Sequence, residues 1–268
     1  MLSGVVGTVE AVKGRTVLLD LDGTLVDSAT GITEHLSLAM GAVGAGVHPP
    51  STLRGYIGPP FEAFMPALGL DPGQVVAATA EYRRTYDPVA ASLSRPYPGM
   101  VELLDRLRDV GIQLAVATSK PESLARVILA HNGLGGYFEV IGGADHDRER
   151  TGKAAVVGSV LERLGLTIAP GEAHRTTMMV GDRLHDVHGA AARHMATIGV
   201  SWGYAEPDEL MTAGAVAVAR TPEELGDLLL GESWSWTCQA VGEPSVVGEP
   251  PVVGEPPAVG EPPAVGNT

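Results

Sequence analysis

Apolar residues along this chain alternate between short continuous runs and helical spacings. Thr16-Val17-Leu18-Leu19 is an apolar run that ends at an acid, which predicts a short buried strand. Ser28 is placed to cap a helix with Ile32, Leu36, Met40 and Val43 on one face. From about residue 46 to 98 the pattern changes. A Gly58-Pro59-Pro60 break is flanked by a helix near 61–68 and another over 74–86, with no strand signal. Alternation then resumes. Leu103, Leu104, Leu107 and Val110 mark a helix stopped at Gly111. Strands are predicted over 112–117, 138–141, 177–180, 197–200 and 215–218, and helices over 121–131, 153–164, 186–194 and 222–230. Strands alternating with helices predict an α/β fold: a doubly wound parallel sheet, interrupted after its first strand by a small helical insertion. In such sheets ligands bind beyond the carboxyl ends of the strands, so the polar residues there become the candidates for chemistry.

The first candidates are Asp20 and Asp22, in Asp20-Leu21-Asp22-Gly23-Thr24. Two acids two residues apart share one face of an extended backbone. The turn through Gly23 and Thr24 is expected to present free amides, hence an anion pocket. Acids beside an anion repel it unless a cation lies between them, so the stretch implies a divalent metal and a phosphate. At the next strand end, the Thr118 and Ser119 hydroxyls and nearby amides suit phosphate oxygens, although they equally suit a helix N-cap before Pro121. Lys153 opens a helix, where it opposes the dipole; a phosphate or carboxylate partner would explain it, and a solvated surface position is the other reading. Arg148 and Arg150 read as surface charges. Asp182 and Asp186 follow an apolar strand four residues apart, close enough to add two acids to a metal site or simply to serve as helix-dipole partners. His185 and His188 show no zinc spacing with a cysteine or a third histidine.

Composition narrows the partners. The 268 residues are 44% hydrophobic, enough for a sizeable core, and the net charge is −14. That charge disfavours a nucleic-acid polymer or an anionic membrane as partner. From Thr221 onward there are eight acids and no lysine or arginine, which leaves −6 for the preceding residues. Cys238 is the sole cysteine, and no apolar run approaches a membrane span, so a soluble, cytoplasmic protein is expected. Beyond Val241 the chain repeats Val-Gly-Glu-Pro every six residues, with glycines at 242, 248, 254, 260 and 266. Proline in every repeat argues against a β-helix and for an extended, disordered tail.

These clusters, in this order, resemble the haloacid dehalogenase superfamily of phosphatases. Asp20 to Ser28 is similar to its first motif, Thr118-Ser119-Lys120 to the second, Lys153 to the third, and Gly181-Asp182-Arg183-Leu184-His185-Asp186 to the fourth. The insertion, with Gly58-Pro59-Pro60 and Tyr97-Pro98-Gly99, resembles the phosphoglycolate-phosphatase-like branch; Ser201-Trp202-Gly203-Tyr204 is similar to a group described as 5′-nucleotidases. The resemblance implies a Rossmann-like core over 15–30 and 97–231, a helical cap over 31–96, an extension over 1–14 and a disordered tail over 232–268.

It also implies roles. Asp20 would attack phosphorus, and Asp22 would act as general acid and base. Gly23, Thr24, Thr118, Ser119 and Lys153 would hold the phosphoryl group. One Mg²⁺ would be held by Asp20, Asp182, Asp186 and the carbonyl of Asp22. Arg54, Tyr56, Phe61 and Tyr82 are candidates for a cap surface that reads the leaving group, with Phe61 and Tyr82 also suited to the cap's own core. The expected substrate is a small phosphorylated metabolite, either phosphoglycolate or a nucleoside 5′-monophosphate. A sugar phosphomutase, a dehalogenase and a non-catalytic scaffold presenting the tail are the alternatives; the oligomeric state is left open.

Overall fold

The structure, a computed structural model, describes residues 14–145, 150, 152–166 and 175–231. Most of the N-terminal extension, Arg148, Cys238 and the whole repeat tail lie outside them. Six strands form one parallel sheet: β1 (Thr16–Leu19), β4 (Gln113–Pro121), β5 (Val140–Ala144), β6 (Thr177–Gly181), β7 (Ala196–Val200) and β8 (Ala217–Ala219), in the order β5-β4-β1-β6-β7-β8. The central strand β1 is buried at all four positions. Val17 and Leu19 join one apolar cluster and Leu18 the opposite one, so the two-residue period divides a continuous apolar run between two covered faces.

Helices cover both faces. On one lie α5 (Met100–Asp109), which buries Met100, Leu103, Leu104 and Leu107, and α10 (Pro222–Leu230), whose Thr221 hydroxyl accepts from the Glu224 amide. On the other lies α7 (Lys153–Arg163), whose Val156, Val157, Val160 and Leu161 meet Leu18, Ala115 and Met179. Register places the site. Leu19 pairs with Val116 on one side and Val180 on the other. The residues just beyond β1, β4 and β6 therefore emerge side by side, where the strand order reverses.

Between β1 and β4 the chain builds mostly helix: α1 (Ala29–Ala42), α2 (Pro50–Leu53), α3 (Phe61–Phe64) and α4 (Pro72–Tyr86). Helix α4 begins on a capping box, with the Asp71 carboxylate accepting from Gln74 N and the Gln74 side chain accepting from Asp71 N. It buries Val75, Ala78, Thr79, Tyr82 and Tyr86, a helical stripe that packs on α1.

Several expectations need correction. The insertion is not strand-free: β3 (Arg95–Pro96) falls within it and pairs antiparallel with β2 (Val26–Asp27), which lies just before it, so the pair ties its two ends together. A two-residue ribbon has no period to read. Ser28 occupies the N-cap position of α1 but makes no cap bond with its side chain. Its hydroxyl donates to Asp22 instead, while the Asp27 carboxylate accepts from Ala29 N. The helix expected over 186–194 is α8 (Leu184–Ala191). Arg150 is not a surface charge: its side chain is 16% exposed and pairs with Glu122 and Asp145 at 3.2 and 3.3 Å.

Candidate active site

Asp20 leaves the end of β1 with its amide bonded to Val180 O at 2.9 Å, which keeps it in line with the sheet. Its carboxylate is buried beside Lys153, whose ammonium lies 2.8 Å from Asp20 Oδ1, 2.6 Å from Asp186 Oδ1 and 3.0 Å from Ala117 O. The lysine that seemed misplaced at a helix start is thus the buried counter-ion of two acids. Gly189 on α8 leaves room for its stem, since a Cβ there would meet Lys153 Cγ at 2.5 Å.

Asp182 is fully buried at the end of β6. It accepts from Tyr204 N at 2.8 Å and from the Thr24 hydroxyl at 3.2 Å. Carboxylate oxygens of Asp20, Asp182 and Asp186 lie within 4.8 Å of one another. Burial is the main force raising the Asp20 pKa to about 6; Lys153 opposes the rise and Asp186 adds to it. Asp182 is raised too, by burial first and then by Asp186 and Asp20. Lys153 is raised because the two acids outweigh its own burial.

Asp22 does not point into this acid cluster. One carboxylate oxygen pairs with Lys120 Nζ at 2.9 Å and the other accepts from Ser28 Oγ at 2.6 Å. Lys120 in turn reaches the Tyr86 hydroxyl at 3.5 Å. A second acid–lysine pair thus stands beside the first. Asp20, Asp22, Thr118, Ser119, Lys120, Lys153 and Asp186 all line one cleft of about 1080 Å³, its open mouth included.

Gly23 and Thr24 serve this arrangement differently from the anion pocket expected of them. Their amides are used inside the turn, Gly23 N on Val26 O at 2.9 Å and Thr24 N on Leu21 O at 3.4 Å. Gly23 has φ +83°, and a Cβ there would sit 2.1 Å from Asp182 Oδ2. Gly23→Ala is therefore expected to destabilise the protein by about 1–3 kcal/mol, from the strained backbone alone. Urea denaturation of the variant measures this, and an unchanged midpoint would contradict the packing described.

Of the cap candidates, Tyr56, Phe61 and Tyr82 line the cleft. Arg54 does not: it donates to Gly203 O at 3.1 Å and lies over the Tyr204 ring. His185, which has no zinc spacing, is a half-buried cleft residue whose pKa is lowered, chiefly by burial. Sequence reasoning missed Lys120 and Tyr204 as supports. Nothing in the spacing opposes Lys120 to Asp22, and the Tyr204 hydroxyl finds Ser28 N, at 3.0 Å, only across the fold.

Residues 17–200 match the haloacid dehalogenase-like hydrolase family. The chain belongs to that family. It is 39% identical over 217 residues to the tyrosine-protein kinase PtkA of Mycobacterium tuberculosis, covering 80% of this chain and 72% of that one. It is 35% identical over 201 residues to a 5′-nucleotidase of Pseudomonas aeruginosa, covering 75% and 88%. Among solved structures, a predicted phosphatase from Clostridium acetobutylicum superposes with a TM-score of 0.74 at 34% identity, covering 81% of this chain and 98% of that one. As a member of this family the protein is an enzyme, a phosphatase. No described helix is long and apolar enough to cross a membrane.

Proposed function

We propose that the enzyme is a Mg²⁺-dependent phosphomonoesterase of the cytoplasm that acts on a small phosphorylated metabolite. The observation that carries this reading is Asp20, buried against Lys153 and grouped with Asp182 and Asp186. The acids suit a hard divalent cation. Their donors are all carboxylate oxygens, within 4.8 Å of one another in a buried site. Asp20, Asp182 and Asp186, with the main-chain carbonyl of Asp22, would hold it. When bound, Mg²⁺ supplies positive charge where the phosphoryl oxygens gather negative charge.

The protein's own groups account for the rest. Asp20 forms a bond to phosphorus as the ester P–O bond breaks, and Asp22 gives its proton to the leaving oxygen. Asp22 then takes a proton from the water that splits the aspartyl-phosphate, releasing inorganic phosphate and restoring Asp20. Thr118, Ser119 and Lys153 hold the phosphoryl oxygens through both steps. Lys120 and Ser28 fix the Asp22 carboxylate between them. Phosphoglycolate and nucleoside 5′-monophosphates are the substrates to test first. Release of free phosphate that stops with chelator and returns with Mg²⁺ is the expected result; turnover in excess chelator contradicts the metal's role.

The identity to a protein named a tyrosine kinase favours a second reading, in which the phosphoryl group passes to a tyrosine hydroxyl. Incubation with γ-labelled nucleoside triphosphate separates the two. Label retained on protein tyrosine supports transfer, whereas an unlabelled protein that releases phosphate from a phosphomonoester supports hydrolysis.

The acid cluster also sets a pH dependence. Asp20 binds a proton up to about pH 6 in the folded, metal-free protein but only to about 3.8 when unfolded. The native state therefore holds more protons between these values, and this group's contribution to stability falls as pH rises through them. Asp182 acts in the same direction. A divalent cation competes with those protons, so the rise in melting temperature on adding Mg²⁺ should be larger at pH 7.5 than at pH 5. A smaller rise at pH 7.5 than at pH 5 would count against the site.

A further inference from the structure

We propose that the leaving group this cleft accepts carries a flat aromatic ring and no negative charge; the inference rests on the phosphatase reading above and names its substrate class. Tyr56, Phe61, Tyr82 and Tyr86 line the same cleft as Asp22, the acid that protonates the leaving oxygen. Asp22 pairs with Lys120 at 2.9 Å, and the Lys120 ammonium lies 5.0 Å from the Tyr86 ring centroid. Tyr86 stacks on Tyr82 with centroids 4.9 Å apart, and Phe61 meets Tyr82 edge-on at 4.7 Å. Phe61 stays half-buried, so part of its ring remains open to the cleft it lines. A leaving group whose oxygen reaches Asp22 shares the cleft with these rings, and the half-buried Phe61 offers a ring on that group edge-on or offset contacts.

Charge excludes the other class. Every lysine and arginine of the cleft faces an acid or a carbonyl. Lys120 faces Asp22, and Lys153 faces Asp20 and Asp186. Arg183 pairs with Glu209 at 2.9 Å and donates to Ile57 O. Arg83 acts on Asp87. The cleft also carries Glu62 and Asp87. A carboxylate on the leaving group, as in phosphoglycolate, would meet two acids there. A neutral aryl or nucleoside group meets rings.

Two sources share this chemistry: an aryl phosphate, with the ring on the ester oxygen, and a nucleoside 5′-monophosphate, with the ring one ribose away. The test compares kcat/KM for phenyl phosphate, adenosine and uridine 5′-monophosphates, phosphoglycolate and acetyl phosphate, using the full chain with Mg²⁺. At least one ringed substrate is expected to exceed phosphoglycolate by on the order of 10-fold or more. Phe61→Leu, which keeps an apolar side chain and removes the ring, is expected to lower the ratio of that substrate to acetyl phosphate by several-fold. Phe61→Tyr should keep it. Which arm wins assigns the ring's position. Phosphoglycolate equal to or better than every ringed ester, or a ratio unmoved by Phe61→Leu, overturns the inference while leaving the phosphatase reading intact. Calorimetry on Asp20→Asn tests binding independently of turnover. Ringed phosphates that bind it more tightly than phosphoglycolate, with no substrate hydrolysed by the parent, would support the ring preference and overturn the phosphatase reading instead.

Discussion

Asp20→Asn is expected to lower kcat by about 10⁴-fold or more, the scale seen when a covalent nucleophile is removed. The amide keeps the shape of the carboxylate but is a far poorer nucleophile. The fold should survive. Asp20 is buried, and its surroundings push its pKa to about 6, so near neutral pH they disfavour the very charge that the substitution removes. Lys153 keeps Asp186 as a partner at 2.6 Å. In metal-free buffer at pH 7.5 the variant should therefore melt no lower than the parent. Phosphate release and a thermal melt together decide the matter. Full activity with an unchanged melt removes Asp20 from the chemistry; loss of both signals would make it a structural residue.

Lys153→Met should cost both stability and activity. The ammonium is buried against Asp20, Asp186 and the Ala117 carbonyl. Removing one partner from a buried ion pair leaves the other charge uncompensated, typically at a cost of about 3–5 kcal/mol. Lys153 is raised above its ordinary value of 10.5, so its contribution is complete below that pH and is lost only as pH rises further. The deficit should accordingly be present throughout the neutral range. Without the lysine, Asp20 loses the attraction that restrains its pKa and should titrate still higher. The acid limb of the rate profile then moves to higher pH, while kcat falls by on the order of 10²–10³ with the loss of a phosphoryl contact. Denaturant melts and a pH–rate profile measure both effects. A variant of parental stability would show that the two acids do not depend on this cation.

The sheet was legible because its strands are buried on both faces. Continuous apolar runs such as 16–19 and 177–180 have few alternatives, and glycines 111 and 165 mark where helices stop. Three of the four polar clusters were legible because each follows such a run, and a parallel sheet must bring those ends together; Lys153 was legible only as a cation set at a helix start. Less could be read in the insertion. Its β2 and β3 are two residues each, and Phe61 and Tyr82 suited both a cap core and a cleft wall; their ring contacts and the cleft they line show them doing both. Arg54 and Arg150 illustrate a further limit. A long cation's partner is set by whatever backbone or acid folds against it, here Gly203 O for one and Glu122 with Asp145 for the other.

By itself the sequence determined the alternation of strand and helix, the position of the insertion and the acids and lysines at the strand ends, because local periodicity and burial fix those. Tertiary structure decided how they pair. Asp20 and Asp186 fell to Lys153, Asp22 fell to Lys120 and Ser28, and Asp182 took Thr24 and Tyr204 as donors. An ion pair or hydrogen bond depends on a few ångströms of separation. Between residues as far apart in sequence as Thr24 and Asp182, that separation is fixed only by the register of the strands that carry them.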